Sequence, residues 1–202
     1  REGQLLPEVK DMMFLNKGWH NEVHYDWAFI KKTWMKYWDQ RMGILMDKSN
    51  PNMMRVPAIK KEFQNSTFIA MVRNPYAQVE GIMRRNGATA EYAAKFALKC
   101  LRYQKQNKLS EKENILFTSY EELCDTKYEV VEKIKKFIPE IGNIDSDLEF
   151  SAHNFKTDGK MKIQNLNKEK IKKINKENMG IINSYFNKEI DLLEFFGYSI
   201  IE

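Results

Sequence analysis

Cysteine is scarce in this sequence, with only Cys100 and Cys124 among 202 residues. Two cysteines cannot build the disulfide framework that stabilises many small secreted domains. Long apolar runs are also lacking, since none reaches the ~18 residues that a membrane-spanning helix needs. These absences lead us to expect a cytoplasmic protein without a membrane span.

Histidine is nearly as rare, with three residues in the chain. The spacing of His20 and His24 would place both on one face of a helix, but no third ligand is evident near them. We therefore expect no bound metal.

The remaining composition is that of a globular protein, with 43% hydrophobic and 30% charged residues. The length suits one domain with a substantial core, so we predict a single domain over residues 1–202. The net charge is +5. That excess fits a nucleic-acid-binding protein, and it fits equally an enzyme for a small polyanion.

The order of apolar and amphipathic segments predicts an α/β fold, with a parallel sheet flanked by helices. The segment 67–72 is apolar on successive residues, so we expect both of its faces to be buried. Trp27, Ile30, Trp34 and Trp38 have the spacing of a core-facing helix stripe. The predicted strands are 43–46, 67–72 and 114–118, and the predicted helices that follow the stripe are 53–63, 76–85, 89–107, 121–137, 168–185 and 190–196.

Two polar stretches follow predicted strands, one at 47–51 and one at 73–75. Ligands of open parallel sheets bind at the carboxyl ends of the strands. Lys48 and Arg73 would therefore point into a shared crevice, next to helix N-termini whose free N–H groups suit an anion. The alternative is that each is a solvated loop charge.

The segment 68–87 reads FIAMVRNPYAQVEGIMRRNG. It resembles the 3′-phosphate-binding strand, loop and helix of sulfotransferases, which take a sulfuryl group from 3′-phosphoadenosine 5′-phosphosulfate (PAPS). The family pattern has Arg, any residue and Pro, then a Ser eight residues after the Arg; here Arg73 and Pro75 match and Gly81 replaces the Ser. The resemblance implies that Arg73 binds the 3′-phosphate. The Gly81 N–H, or Arg84 and Arg85, would partly replace the missing hydroxyl.

Three further segments, MDKSNPN, ILFTSYEEL and the closing helices up to Gly197-Tyr198, are similar to the family in the same order. The likeness is to bacterial-type members related to carbohydrate and tyrosylprotein sulfotransferases, and it implies their P-loop-NTPase-like fold. It places Lys48 at the transferring sulfuryl group and Tyr120 near the adenine.

The resemblance also implies a general base for a hydroxyl acceptor. Glu2 lies where the carbohydrate and tyrosylprotein branches have a glutamate, and His20 and His24 are second choices. Asn50 stands where the small-molecule branch has its catalytic histidine. The expected ligands are PAPS or 3′-phosphoadenosine 5′-phosphate (PAP), without metal or nucleic acid, and a small-molecule, carbohydrate or peptide hydroxyl as acceptor.

One part of the family pattern has no counterpart, because none of the nine glycines lies in a Gly-rich Arg-Ser-Gly turn. We expect the N-terminal βα unit that carries this phosphate loop, about 30 residues, to be missing from the chain. Three functions stay open at this point: an active sulfotransferase, a catalytically inactive nucleotide-binding relative, and a basic α/β protein that binds nucleic acid.

Overall fold

A computed structural model describes residues 2–14, 18–20, 22–150 and 161–202. Its contacts divide the chain into two compact units, Arg1–Phe68 and Ile69–Glu202, and each has its own core. The prediction of a single domain stays a prediction.

The first unit is helical. Its helices are α1 (Lys10–Met13), α2 (Trp27–Tyr37) and α3 (Val56–Glu62), with 3₁₀ turns at Gly3–Leu5 and Asn50–Met54. The tryptophan stripe faces the core as predicted: Ile30 and Trp34 are buried beside Val9 and Met13. Trp38 and Trp27 pack at the margin of this core.

The second unit holds a parallel pair of strands, β1 (Phe68–Val72) and β2 (Ile115–Ser119), flanked by helices. This confirms the predicted α/β class. The crossover from β1 to β2 contains two helices, α4 (Pro75–Asn86) and α5 (Ala90–Ser110). The later helices are α6 (Tyr120–Asp125), α7 (Lys127–Phe137), α8 (Asn167–Ile171), α9 (Lys176–Phe186) and α10 (Ile190–Glu194).

Capping residues explain where these helices begin. The Asn74 side chain accepts hydrogen bonds from the first turn of α4, Thr89 caps α5, and Ser119 forms a capping box with Glu122 at α6. Helix α4 ends at Gly87, which has a φ of +63°. That left-handed conformation is favourable for glycine alone.

The core of the second unit forms where α4, α5 and α9 pack together. Tyr76 and Phe186 are fully buried, with ring centroids 4.9 Å apart in an edge-to-face arrangement. The Tyr76 hydroxyl donates to Asn183 Oδ1 at 2.6 Å and accepts from the Ile201 N–H at 3.1 Å. The C-terminal residues are thereby fixed to α4.

Two strand predictions were wrong in detail. Residues 43–46 form no strand, and Met46 is 70% exposed. In β1, Ile69 and Met71 are 43% and 42% exposed, so this strand has one covered face and not two. In 44–46 and in β1, successive residues alternate between more covered and more exposed positions. Because every residue of these runs is apolar, the sequence does not show which positions will be exposed.

Two predicted helices are interrupted. The helix predicted at 121–137 divides at Thr126, a residue with non-helical backbone angles (φ −134°, ψ 48°) that ends α6 and precedes α7. The helix predicted at 168–185 divides into α8 and α9, and the Asn175 side chain caps α9 by accepting from the Asn178 N–H at 2.8 Å. Polar side chains that bond the local backbone compete with a continuous helix at such positions.

Candidate active site

Arg73 follows β1 directly, as the sequence predicts. Its Nε donates to Asn167 Oδ1 at 2.8 Å. Its guanidinium carbon lies 4.0 Å from the centroid of the Tyr120 ring, so the side chain stacks on that ring. Arg73 is thus held from two sides by residues far away in the sequence.

One end of Arg73 lacks a partner. Its Nη2 is buried and makes no hydrogen bond within the part of the chain that the structure describes. An unsatisfied buried donor costs about 1–3 kcal/mol, and more when it is charged. An anionic oxygen bound there would remove that cost, so this atom fits a phosphate ligand.

Tyr120 is half-buried at the start of α6. Its hydroxyl donates to the Gln164 carbonyl at 2.7 Å and accepts from the Leu166 N–H at 3.3 Å. Burial raises the pKa of this phenol. Because Arg73 covers one face of the ring, an adenine can stack on the opposite face alone.

Glu121 connects the end of β1 to the C-terminal segment. Its Oε1 accepts from the Asn74 N–H at 2.9 Å and from Asn167 Nδ2, and its Oε2 accepts from the Tyr198 hydroxyl at 3.0 Å. Burial and the neighbouring Glu121 raise the pKa of Tyr198. Tyr198 therefore stays a neutral donor, as a bond to a carboxylate requires.

The N-terminus of α4 is less open than the sequence suggested. The Asn74 side chain already accepts from the Tyr76 and Ala77 N–H groups, at 3.0 and 3.4 Å. The prediction that this turn offers free N–H groups to an anion was wrong in this respect. At this end of α4, Arg73 remains the donor for such a ligand.

Gly81 lies in the interior of α4, beyond the first turn, where N–H groups bond within the helix. A backbone N–H donor at this position is therefore not supported. The nearest neighbour of an added Cβ at Gly81 would be Arg85 Nη2, at 3.8 Å, so glycine leaves room there. Arg85 Nε donates to the Gly81 carbonyl at 3.0 Å, and Arg84 Nε to Glu80 at 3.0 Å.

Glu80 forms ion pairs with two cationic side chains. It is 5% exposed and pairs with Arg84 and with Lys170, whose Nζ lies 3.4 Å from Glu80 Oε2. Burial lowers the pKa of Lys170, and Arg84 and Arg73 lower it further, while Glu80 raises it. Arg73 and Arg84 are thus close enough to Lys170 to act on it electrostatically, and Lys170 adds a second cation near Arg73.

In the first unit, Lys48 and Glu2 form an ion pair. Lys48 Nζ lies 2.9 Å from Glu2 Oε1, and Gln4 Nε2 donates to Glu2 Oε2 at 2.8 Å. The hydrogen bond from Lys48 lowers the pKa of Glu2 most, with a smaller contribution from Gln4 and partial opposition from burial. Glu2 is therefore an ionised carboxylate, the form that a general base needs.

The turn that carries Lys48 is braced by Asp47. This carboxylate accepts from the Gly3 N–H, from Ser49 Oγ at 3.2 Å and from Asn52 Nδ2 at 2.8 Å. Burial raises the pKa of Asp47. A Cβ at Gly3 would lie 2.5 Å from Trp34 Cε2, so glycine is required for this close approach.

The two histidines do not share a helix face, although their spacing would allow it. His20 and His24 lie outside helices and are exposed. The His20 carbonyl accepts from Arg55 Nη2 at 2.8 Å. Within the described ranges, no group of three or more histidine, cysteine or carboxylate side chains is placed to hold a metal ion.

A family comparison decides the identity of the chain. Residues 13–139, well over half of the chain, match the sulfotransferase family. The chain belongs to the sulfotransferase family. No curated protein and no solved structure gives a significant match.

In this sulfotransferase the matched region includes Lys48, Arg73 and Tyr120, and it ends before Asn167, Lys170 and Tyr198. Sequence reasoning gave no role to these last three residues or to Glu121, although Tyr198 ends the closing segment that resembles the family. Glu121 adjoins Tyr120 in the YEEL segment, which gave a local signal. Asn167 and Lys170 lie in a lysine-rich stretch that resembles an ordinary solvated helix.

None of the sulfotransferase helices within the described ranges is both long and apolar enough to cross a membrane.

Proposed function

We propose that this sulfotransferase moves a sulfuryl group from PAPS to a hydroxyl acceptor on a small molecule, a carbohydrate or a peptide. The observation that carries the proposal is the half-buried Arg73 at the end of β1, whose buried Nη2 has no hydrogen-bond partner among the described residues. A 3′-phosphate supplies the acceptor that this group lacks.

The donor is held by the second unit in this proposal. Arg73 binds the 3′-phosphate, and Arg84 and Arg85 add positive charge from exposed positions on α4. The face of the Tyr120 ring opposite Arg73 stacks on the adenine. Gly81 leaves space beside Arg85 for the phosphate.

The chemistry belongs to Lys48 and Glu2. PAPS supplies the sulfuryl group and a phosphate leaving group. Lys48 stabilises the negative charge that develops during transfer, and Glu2 takes the proton of the attacking hydroxyl. The sulfur–oxygen bond to the acceptor forms as the bond to the 5′-phosphate breaks, and PAP leaves. His20 and His24 are second candidates for the base.

The Glu2–Lys48 ion pair supports this division of roles. A carboxylate whose pKa is lowered is ionised through the neutral range, and it becomes a stronger proton acceptor once Lys48 releases it, because the Lys48 hydrogen bond is the largest cause of the lowering. Both side chains retain access to solvent, with 32% and 67% of their surface exposed, so either can release the other when substrates bind.

The test is a transfer assay with PAPS and a panel of sugar, alcohol and phenol acceptors, read as a gain in product mass. Arg73→Ala is the site variant. Arg102→Ala is its matched control, because Arg102 is a paired arginine on α5 that contacts Glu189. We expect Arg73→Ala to abolish most of the transfer and the control to retain it.

Two outcomes contradict the proposal and identify its alternatives. Binding of PAP without transfer to any acceptor makes the protein an inactive nucleotide-binding relative. Salt-sensitive binding to RNA or DNA without affinity for PAP makes it a nucleic-acid-binding protein.

A further inference from the structure

A continuous line of hydrogen bonds connects the C-terminal segment to Arg73. The Tyr198 hydroxyl donates to Glu121, Asn167 Nδ2 donates to Glu121, and Arg73 Nε donates to Asn167 Oδ1. We propose that Asn167, held in place by Glu121 and Tyr198, is a positioning residue that aims the free Nη2 of Arg73 at the 3′-phosphate. This inference rests on the proposed function of Arg73.

The orientation of Asn167 is unique. A guanidinium can donate but not accept, and a carboxylate can accept but not donate. The amide must therefore turn its oxygen to Arg73 and its nitrogen to Glu121, because the flipped amide would lose both bonds. Asn167 is 7% exposed, so water cannot readily replace either partner.

The neutral amide of Asn167 orients Arg73 without cancelling its positive charge, which a carboxylate in its place would do. If Glu121 bonded Arg73 directly, the pair of opposite charges would cancel, and the field on an incoming phosphate would weaken. Asn167 is held by Glu121 and in turn accepts the hydrogen bond from Arg73, and it carries no charge itself. Arg73 is thereby fixed and keeps its positive charge for a ligand.

Two restraints of different kind act on the guanidinium. The Tyr120 ring, 4.0 Å from the guanidinium carbon, restrains the plane of the group. The bond of 2.8 Å from Nε to Asn167 sets its rotation within that plane. Together they leave Nη2 buried and unsatisfied, which is the atom that faces the ligand in this proposal.

Glu121 makes the arrangement depend on both ends of the unit. It receives the Asn74 N–H from the loop after β1, and it receives Tyr198 from beyond α10. Arg73 and Asn167 are 94 residues apart in the chain. The closing segment therefore completes the binding site of a strand that precedes it.

The experiment compares two ligands that differ only in the 3′-phosphate, PAP and adenosine 5′-monophosphate, by calorimetry on the full protein. Removing one hydrogen bond to a charged group corresponds to about a tenfold change in affinity. We expect Asn167→Ala to weaken PAP binding about tenfold and to leave the adenosine 5′-monophosphate affinity unchanged.

Asn183→Ala is the matched control. Asn183 on α9 also makes two hydrogen bonds, accepting from Tyr76 on α4 and donating to the Ile201 carbonyl near the C-terminus, and neither involves Arg73. We expect this variant to lose comparable thermal stability and to keep the full preference for PAP. A purely structural role for Asn167 would give the same result in both variants, and that would overturn the inference.

A double variant separates this inference from the proposed function. If Arg73→Ala removes the preference for PAP, adding Asn167→Ala should change nothing further, because its effect acts through Arg73. If Arg73→Ala leaves the preference intact, the proposed function fails. If Arg73→Ala acts and Asn167→Ala does not, the positioning role alone fails.

Tyr198→Phe provides a second variant in case Asn167→Ala does not fold. It keeps the ring and removes the bond to Glu121. We expect about a threefold loss for PAP and none for adenosine 5′-monophosphate, which is a smaller effect because Tyr198 acts through two intermediates. Equal changes in affinity for both ligands would contradict the proposed positioning of Arg73 through Glu121 and Asn167.

Discussion

Lys48 Nζ and Glu2 Oε1 lie 2.9 Å apart, across 46 residues of chain. The proposed charge-stabilising cation and the proposed base are therefore direct partners. Each must exchange the other for a substrate group before transfer occurs. Substitution of either residue thus alters its partner as well, and the variants have to be designed to separate the two roles.

Glu2→Gln keeps the shape of the side chain and removes the base. We expect transfer to an alcohol acceptor to fall by roughly 10²-fold or more. An acidic phenol, partly ionised already, should react at nearly the parent rate. Steady-state rates with both acceptors test this, and undiminished transfer to the alcohol would move the base to His20 or His24.

Lys48→Ala should act on the transition state. We expect kcat to fall about 10²- to 10³-fold while the affinity for the donor stays nearly constant. Lys36→Ala is a suitable control, since Lys36 is an exposed lysine of the same unit that pairs with Glu8. If Lys48→Ala changes only the donor's dissociation constant, Lys48 is a ground-state anchor.

The pH dependence of Glu2 follows from its partner. Its pKa is lowered from 4.5, first by the Lys48 hydrogen bond. A lowered carboxyl pKa means that the pair adds stability above the unfolded-state value, and that this contribution is lost as pH falls through the folded value. Glu2 therefore stays ionised, and able to act as a base, at pH values below the usual pKa of glutamate.

A ¹³C NMR titration of the Glu2 carboxyl measures this directly. We expect a midpoint below 4.5 in the parent protein and a return towards 4.5 in Lys48→Met. The Lys36→Met variant should leave Glu2 unchanged. A midpoint that is the same in all three proteins would show that the ion pair is absent in solution.

Gly3, which follows Glu2 and contacts Asp47 and Trp34, offers a test of the packing that holds Glu2 in place. Gly3→Ala would place a Cβ 2.5 Å from the Trp34 indole, and overpacking of this kind costs about 1–3 kcal/mol. Gly43→Ala is the control, because a Cβ there meets nothing within 4 Å. Thermal unfolding should show a lower Tm for Gly3→Ala alone, with reduced transfer because Glu2 shifts.

The sequence predicted the parts of this molecule that depend on local chemistry. The β1–Arg73–α4 junction follows from an apolar run, an Asn cap and a Pro that begins a helix. The tryptophan stripe of α2 follows from a period of 3.6 residues. These features need neighbours in the chain and little else.

Long-range features could not be predicted in this way. Asn167 contacts Arg73 from 94 residues away, and Tyr198 contacts Glu121 from 77 residues away. No periodicity or turn chemistry records such pairings. The same holds for the exposed side of β1, since a run of apolar residues does not show which elements will cover it.

Gly81 replaces the serine of the family pattern that the sequence resembles. A Cβ there would meet Arg85 Nη2 at 3.8 Å, which is ordinary contact, so the Cβ of a serine fits without rearrangement. Serine is also a better helix residue than glycine by about 0.5 kcal/mol. We expect unchanged or slightly higher stability and tighter binding of PAP, because the new hydroxyl adds a donor for the 3′-phosphate.

Gly180→Ser is the control, as an exposed glycine in the interior of α9 with nothing within 4 Å of an added Cβ. The gain from helix propensity is the same in both variants, but Gly81 is buried and Gly180 is exposed, so the stability gain should be smaller for Gly81→Ser. Only Gly81→Ser should gain affinity for PAP, and neither should gain affinity for adenosine 5′-monophosphate. If the two variants bind PAP equally, the face of α4 that carries Gly81 does not contact the 3′-phosphate. That result would also exclude Arg84 and Arg85 from the proposed binding site.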